Sequence, residues 1–401
     1  MEANRIKASI IFAARKSPSS GVLPTSHPSP FDRATHCQAS LHACACVWIV
    51  CFLIHSGPRH HTRYQTKYMN INNQTSNKQL KSLQALRGLG AISVVIFHAL
   101  SLFPFMNFRA GAAGVDLFFV ISGVVMYLSV KPTTSPFDFL KKRCIRVIPM
   151  YWIASAIAVA YFYARYPDVP PSSEHIIRSF LFAPPPAGFN MPVLYPGWTL
   201  NYEMFFYAVL GLMLCIGRLA IPATICLIIT LGAALPEIQI IKQYYFNQII
   251  LEFAAGLVIG HAIKSGYRPK KPEAALFIAA SILLFTIHNI AVSDGVIAWG
   301  IPSVLLVLGA IGFEDSKLIK GRVVQFLGES SYSIYLFHAI AIWVVSWIWP
   351  GQPGPEMVLA AVLLSLLIGV IAFKYLESPL LRLMTKPARS SSISKAASPG
   401  A

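Results

Sequence analysis

Leu86–His98 reads LRGLGAISVVIFH. Apolar and small residues continue from it to about residue 104, enough for a helix to cross a hydrocarbon core of ~30 Å, so the stretch opens a membrane span. It carries Arg87 near its start and His98 eleven residues later. Two readings are open. In one, Arg87 reaches back to the headgroups and His98 is a neutral packing residue. In the other, both face a bundle interior, where ionisable groups at membrane depth mark a ligand or proton site.

The composition around this stretch is that of a polytopic membrane protein. Of 401 residues, 55% are hydrophobic and only 12% charged, and the mean hydropathy is +0.58. The net charge of +17 is spread singly and in short clusters between apolar runs. That pattern fits membrane topology and excludes a nucleic-acid partner as the reason for the charge. The seven cysteines form no C-x-x-C or Cys/His spacing, so neither a disulfide framework nor a metal site is expected.

Three regions are expected: a basic, poorly ordered extension over 1–68, a membrane domain over 69–384, and a disordered tail over 385–401. The extension is rich in Ser, Pro and His. Its one apolar run, Cys44–Ile54, is short for a span and reads either as a signal-like segment or as part of a poorly folded extension. The fold class is all-α, a bundle of about ten transmembrane helices at 85–104, 112–130, 147–164, 199–217, 219–236, 247–264, 273–290, 295–313, 332–349 and 357–376. Alternating the connections puts thirteen Lys and Arg on one side, from Lys131 to Arg322, and four on the other, Arg109, Arg165, Arg178 and Lys242. The bias predicts that both termini are cytoplasmic. The longest external connection, about 165–198, contains APPPAGFNMPVLYPGW and reads as a shaped cap.

Ordering the ionisable groups by depth suggests a site. Arg87 and His98 stand roughly 16 Å apart along one helix at ~1.5 Å per residue. Asp116 in the second span, Glu203 in the fourth and Glu252 in the sixth all enter from the outer side by about one turn, so they are expected to share a layer with His98. Each carboxylate alone could equally serve as a helix-start residue. His338 in the ninth span and Trp198 at the start of the fourth are candidates to line the same passage, although a satisfied core histidine fits His338 as well. On the cytoplasmic side FLKKRCIRVIPMYW places Arg143 and Arg146 at i, i+3, either as topology anchors or as forked phosphate ligands beside Arg87. A polyanion with a long neutral arm fits that layout, and coenzyme A has this shape. Glu377 reads as a helix-end partner for a nearby cation.

Six segments in order, LQALRGLGAISVVIFHA, GAAGVDLFFVISGVVMY, KKRCIRVIPMYW, PGWTLNYEMFFY, LGESSYSIYLFH and YLESPLLR, resemble the acyltransferase 3 family of integral membrane acyltransferases. The nearest likeness is to bacterial exopolysaccharide-production acetyltransferases. The resemblance covers about Gln79 to Arg382. It implies an enzyme of the bacterial inner membrane that moves an acyl group, usually acetyl, from cytoplasmic acyl-CoA to a hydroxyl of an extracytoplasmic or lipid-linked glycan such as an exopolysaccharide. No tightly bound cofactor is expected, acetyl-CoA being a substrate, and polysaccharide assembly machinery is a candidate partner. Arg87 and His98 match the family's first-span arginine and histidine, and Arg143 and Arg146 its Arg-x-x-Arg pair. On that reading His98 meets the thioester as general base or as nucleophile. Asp116 orients it, and Glu203 serves the acceptor or a proton relay. Asn201-Tyr202-Glu203 departs from the small residues or second acid that relatives often carry there. A transporter or flippase without acyl chemistry would also need buried charges, as would, more weakly, a noncatalytic membrane subunit. Loss of the thioester coupled to acceptor acylation separates the enzyme from a transporter, and a noncatalytic subunit would tolerate loss of His98.

Overall fold

The computed structural model describes residues 80–103, 108–131, 133–234, 247–291 and 295–385. The expected extension and all but the first residue of the expected tail lie outside these. Every element among the described residues is helical. Seven segments are long and apolar enough to span a membrane: Lys81–Leu100, Arg109–Ser129, Pro136–Arg165, Gly197–Ala233, Lys271–Ile290, Ser331–Ile348 and Pro355–Thr385.

α1, Lys81–Leu100, receives no side-chain hydrogen bond from its N-cap, Leu80. Its first amides are met from a distance: Lys81 N–H donates to Glu314 Oε1 at 2.7 Å and Ser82 N–H to Glu314 Oε2 at 2.9 Å. α2, Gly114–Ser129, follows a 3-10 turn at Arg109–Ala113. α3, Pro136–Arg165, runs for 30 residues, so the basic cluster at 141–146 lies on the helix itself, with Arg143 and Arg146 on one face.

The connection after α3 is built as a cap around α4, Ser173–Phe180. Ser179 Oγ donates to the His175 carbonyl at 2.7 Å and accepts from Val193 N–H at 2.9 Å. The His175 ring bonds the Met191 carbonyl at 2.9 Å, and Tyr151 and Trp152 of α3 donate to the carbonyls of Ser179 and Phe180. The chain then descends into the bundle, where Leu194 is fully buried, before α5 starts at Gly197.

α5, Gly197–Met213, and α6, Ala220–Ile229, form one apolar run that breaks at Gly217, whose φ of 62° falls where a side chain would strain the backbone. α7, Leu251–Lys264, has 14 residues and α9, Val296–Gly312, has 17. Two of the ten expected spans are therefore short helices extended by 3-10 or π turns, as at Thr230–Ala234 and Gln248–Ile250, and a third is the 17-residue α9 without such an extension. α8, Lys271–Ile290, packs on α9 and turns Leu276, Ile282 and Leu283 outward. α10, Arg322–Glu329, leads to α11, Ser331–Ile348, most of whose residues are buried. α12, Pro355–Ala372, continues through a π turn, Phe373–Glu377, into α13, Ser378–Thr385.

The centre is drawn together where small residues let backbones touch. A Cβ on Gly256 of α7 would come within 2.2 Å of the Val120 carbonyl of α2, and one on Gly123 within 2.3 Å of the Phe253 carbonyl. Close contact of this kind supplies van der Waals packing between helices in a medium that gives little hydrophobic drive.

Candidate active site

α1, α2, α3, α5 and α11 line a cavity of about 100 Å³, partly open to the exterior, with Arg87, Arg143, Arg146, Glu203, Tyr207 and Tyr332 in its wall. The three arginines arrive from two helices: Arg87 from the second turn of α1, and Arg143 and Arg146 from one face of α3. Arg143 is partly engaged, since its Nη2 donates to Ser129 Oγ at 2.7 Å and its guanidinium lies over Phe139 at 5.5 Å. Its Nε is buried without a partner. Among the described residues Arg87 and Arg146 form neither a hydrogen bond nor an ion pair within 4.0 Å. Glu203 and Glu377 act on Arg87 only through the field. Both carboxylates are committed elsewhere: Glu203 accepts from Tyr207 O–H and from Ser122 Oγ at 3.3 Å, and buried Glu377 accepts from Ser333 Oγ at 2.6 Å. Guanidinium donors gathered without acceptors form a site for an anion with several oxygens.

Glu203 thus shares a wall with the arginines instead of a layer with His98. The end of the cap and the start of α5 are packed inside the bundle. A Cβ on Gly197 would already lie 2.6 Å from the Tyr151 hydroxyl inside the bundle, and Tyr335 O–H donates to the Pro196 carbonyl at 3.2 Å. Trp198 packs edge-on against Tyr202 at 5.8 Å between centroids and is not part of the cavity wall.

His98, eleven residues beyond Arg87, is met by the buried His338 of α11, with ring centroids 5.3 Å apart. Tyr195 of the cap packs on His98 at 4.9 Å, and its hydroxyl lies 3.1 Å from His338 Nε2. Sequence reading missed Tyr195, which sits in a proline-rich stretch without helical period.

Asp116 is not in this group. Its carboxyl is close enough to that of Glu252 for the two to interact electrostatically, both Glu252 carboxyl oxygens are buried without a hydrogen-bond partner among the described residues, and the two residues are 7% and 2% exposed, which places them in the bundle interior. Similar depth does not mean the same face. Asp116 lies seven residues before Gly123, hence on the side of α2 that meets α7, while Gly114, which packs on the Gly90 carbonyl of α1, points some 200° away. Gly300 of α9 closes on the Glu252 carboxyl, leaving 2.7 Å from an added Cβ to Oε1. Among the described residues no group of three or more His, Cys, Asp or Glu could hold a metal ion.

The described residues thus form a helical membrane bundle with three arginines in one cavity wall and, farther along α1, His98 packed against the buried His338. A sequence profile described as an acyltransferase domain, that of the acyltransferase 3 family, matches residues 80–374. The chain belongs to this family and is an acyl-transferring membrane enzyme. It is 36% identical over 289 residues to the exopolysaccharide production protein ExoZ of Rhizobium meliloti, spanning 69% of this chain and 91% of that one. It is 23% identical to the acyltransferase MdmB of Streptomyces mycarofaciens, over 76% and 92% of the two chains. It is also 23% identical to the peptidoglycan O-acetyltransferase OatA of Listeria monocytogenes, over 76% of this chain and 56% of that protein. No solved structure matches the chain.

Proposed function

We propose that the protein is an O-acetyltransferase of the bacterial inner membrane that takes acetyl from cytoplasmic acetyl-CoA and delivers it to a hydroxyl of an extracytoplasmic or lipid-linked glycan, an exopolysaccharide or its precursor. The observation that carries this reading is the cavity in which Arg87 and Arg146 have no acceptor of their own. Coenzyme A phosphates fit there, with Arg143 as the third ligand. The pantetheine arm, neutral and narrow, then runs along α1 toward His98. The likeness to an exopolysaccharide production protein supports the acceptor class.

The chain crosses the membrane ten times from a start near Met69. α6 and α7, lengthened by their flanking turns, and α9 complete the set, and both termini stay on the Lys- and Arg-rich cytoplasmic side. Polysaccharide assembly proteins are its natural neighbours. His98 acts as general base. It takes the proton of the acceptor hydroxyl as that oxygen bonds the thioester carbon; the C–S bond breaks, and the proton passes on to the departing thiolate. Asp116 and Glu252 support this bundle as a carboxyl pair away from the reacting atoms.

The test compares parent and His98→Gln protein, purified and supplied with acetyl-labelled acetyl-CoA and membranes from polysaccharide-producing cells, with mass spectrometry of the polysaccharide. His98→Gln keeps a polar group without an imidazole, so acetyl transfer should be lost while coenzyme A affinity is kept. Parent-level transfer by the folded variant would remove His98 from the chemistry.

A further inference from the structure

A general base is usually held in place by a third group, and the expected one, Asp116, lies on the face of α2 that meets α7. The rings against His98 are those of Phe97, Tyr195 and His338, at 4.9, 4.9 and 5.3 Å between centroids. Among these three, Tyr195 alone offers an oxygen. The direction of its hydrogen follows from the other end of the chain of contacts. His338 Nδ1 lies 2.5 Å from the Tyr335 carbonyl, which only accepts, so Nδ1 carries the proton. Nε2 of the neutral ring is then an acceptor, and the Tyr195 hydroxyl 3.1 Å away donates to it. With its hydrogen held by His338, the phenol oxygen keeps its lone pairs to receive a hydrogen bond. Tyr335 is itself tied to the Pro196 carbonyl and to Thr199 Oγ1, at 3.2 and 2.9 Å, so the same α11 residue anchors both His338 and the cap that carries Tyr195.

We propose that Tyr195, aligned by His338, is a positioning residue for acyl transfer: its oxygen accepts the N–H of His98 that faces away from the substrate, fixing the ring and steadying the imidazolium that forms as the acceptor hydroxyl is deprotonated. This rests on His98 being the base. No net proton enters the pair. The acceptor's proton stays on His98 until the thiolate takes it, and Tyr195 and His338 end as they began. The cap thus supplies part of the reaction centre, and the acceptor is met by a His98 that is oriented from the cap and α11 instead of from α2.

The test uses full-length protein in nanodiscs with acetyl-labelled acetyl-CoA and the same polysaccharide-bearing membranes. Tyr195→Phe keeps the ring and removes the oxygen. It should lower kcat about 10- to 100-fold, the loss expected for one hydrogen bond to a charged group, with KM for acetyl-CoA unchanged. His338→Leu should fall comparably. His338→Gln, which can present an amide oxygen near the place of Nε2, should recover a good part of the activity. A Tyr195→Phe enzyme with parent kcat overturns the proposal, as does His338→Gln no better than His338→Leu when both bind coenzyme A normally. If His98→Gln itself keeps transfer, the base assignment fails. If His98→Gln is inactive while Tyr195→Phe is unimpaired, only the positioning role fails.

Discussion

Arg146 and Arg143 stand on one face of α3 but differ in what they already hold. Arg146 has no acceptor among the described residues, whereas Arg143 spends one donor on Ser129 Oγ at 2.7 Å. Charge-assisted hydrogen bonds are worth about 1.5–3 kcal/mol each, so Arg146→Gln should weaken coenzyme A binding by about 10- to 100-fold. Arg143→Gln should weaken it less, since that side chain is already anchored beside the cavity. Isothermal titration of the purified variants with coenzyme A checks the order, and equal effects would show that Ser129 does not restrain Arg143. Lysine at 146 should rescue only in part, lacking the planar fork. The arginines and His98 are legible in the sequence because they interrupt apolar runs at recognisable depth. The partner of His98 is not. Depth from a helix boundary gives height alone, and the azimuth that turns Asp116 toward Glu252 depends on which face of α2 meets α7. Gly123, seven residues on, carries that information, but only once its contact with Gly256 is known.

The crossing of α2 and α7 should be among the least tolerant contacts between elements. Gly256→Ala forces a methyl to within 2.2 Å of the Val120 carbonyl, and overpacking of this kind costs about 1–3 kcal/mol. Thermal unfolding in detergent should show a clear fall in midpoint, while Gly188→Ala, with no atom within 4 Å of an added Cβ but a φ of 88°, should fall less. A Gly256→Ala midpoint equal to the parent's would mean that the crossing is loose. The cap makes a different prediction. Burial holds the His175 imidazole below its ordinary 6.5, partly offset by its bond to the Met191 carbonyl. An unfolded cap takes up a proton near 6.5 that the folded one resists, so the stabilisation is complete above that pH and is lost as the pH falls below it. Hydrogen-exchange protection over 173–196, corrected for intrinsic rates, should be lower at about pH 5.5 than at about pH 7.5, and His175→Gln should abolish the difference. That a proline-rich connection forms a shaped cap is legible from composition. Its descent to Leu194 and Tyr195 is not, because no periodic signal marks a loop that re-enters a bundle.

For the molecule as a whole, all six motif segments lie within residues 79–382, and the family match spans residues 80–374. A protein that begins at Met69 should therefore insert and acetylate as the full chain does. Equal surface O-acetylation at equal expression checks this, and loss of insertion would make residues 1–68 a working part of the enzyme. The all-helical architecture follows from apolar run length, but the count of spans does not. The break between the expected spans 199–217 and 219–236 falls at Gly217, but composition does not foresee a helix of 14 residues lengthened by a 3-10 turn or one of only 17. One feature of α1 reaches beyond any of these details. The guanidinium and the imidazole are graduations on a single rod, clamped at its base by Glu314, so on the proposed reading the enzyme carries its own gauge for the donor. One extra residue between the marks would lengthen the gauge by only ~1.5 Å, less than a bond of slack in a flexible arm, yet would turn one mark ~100° from the other. The tolerance of such an instrument is set in degrees, and a full added turn should do it less harm than a single residue.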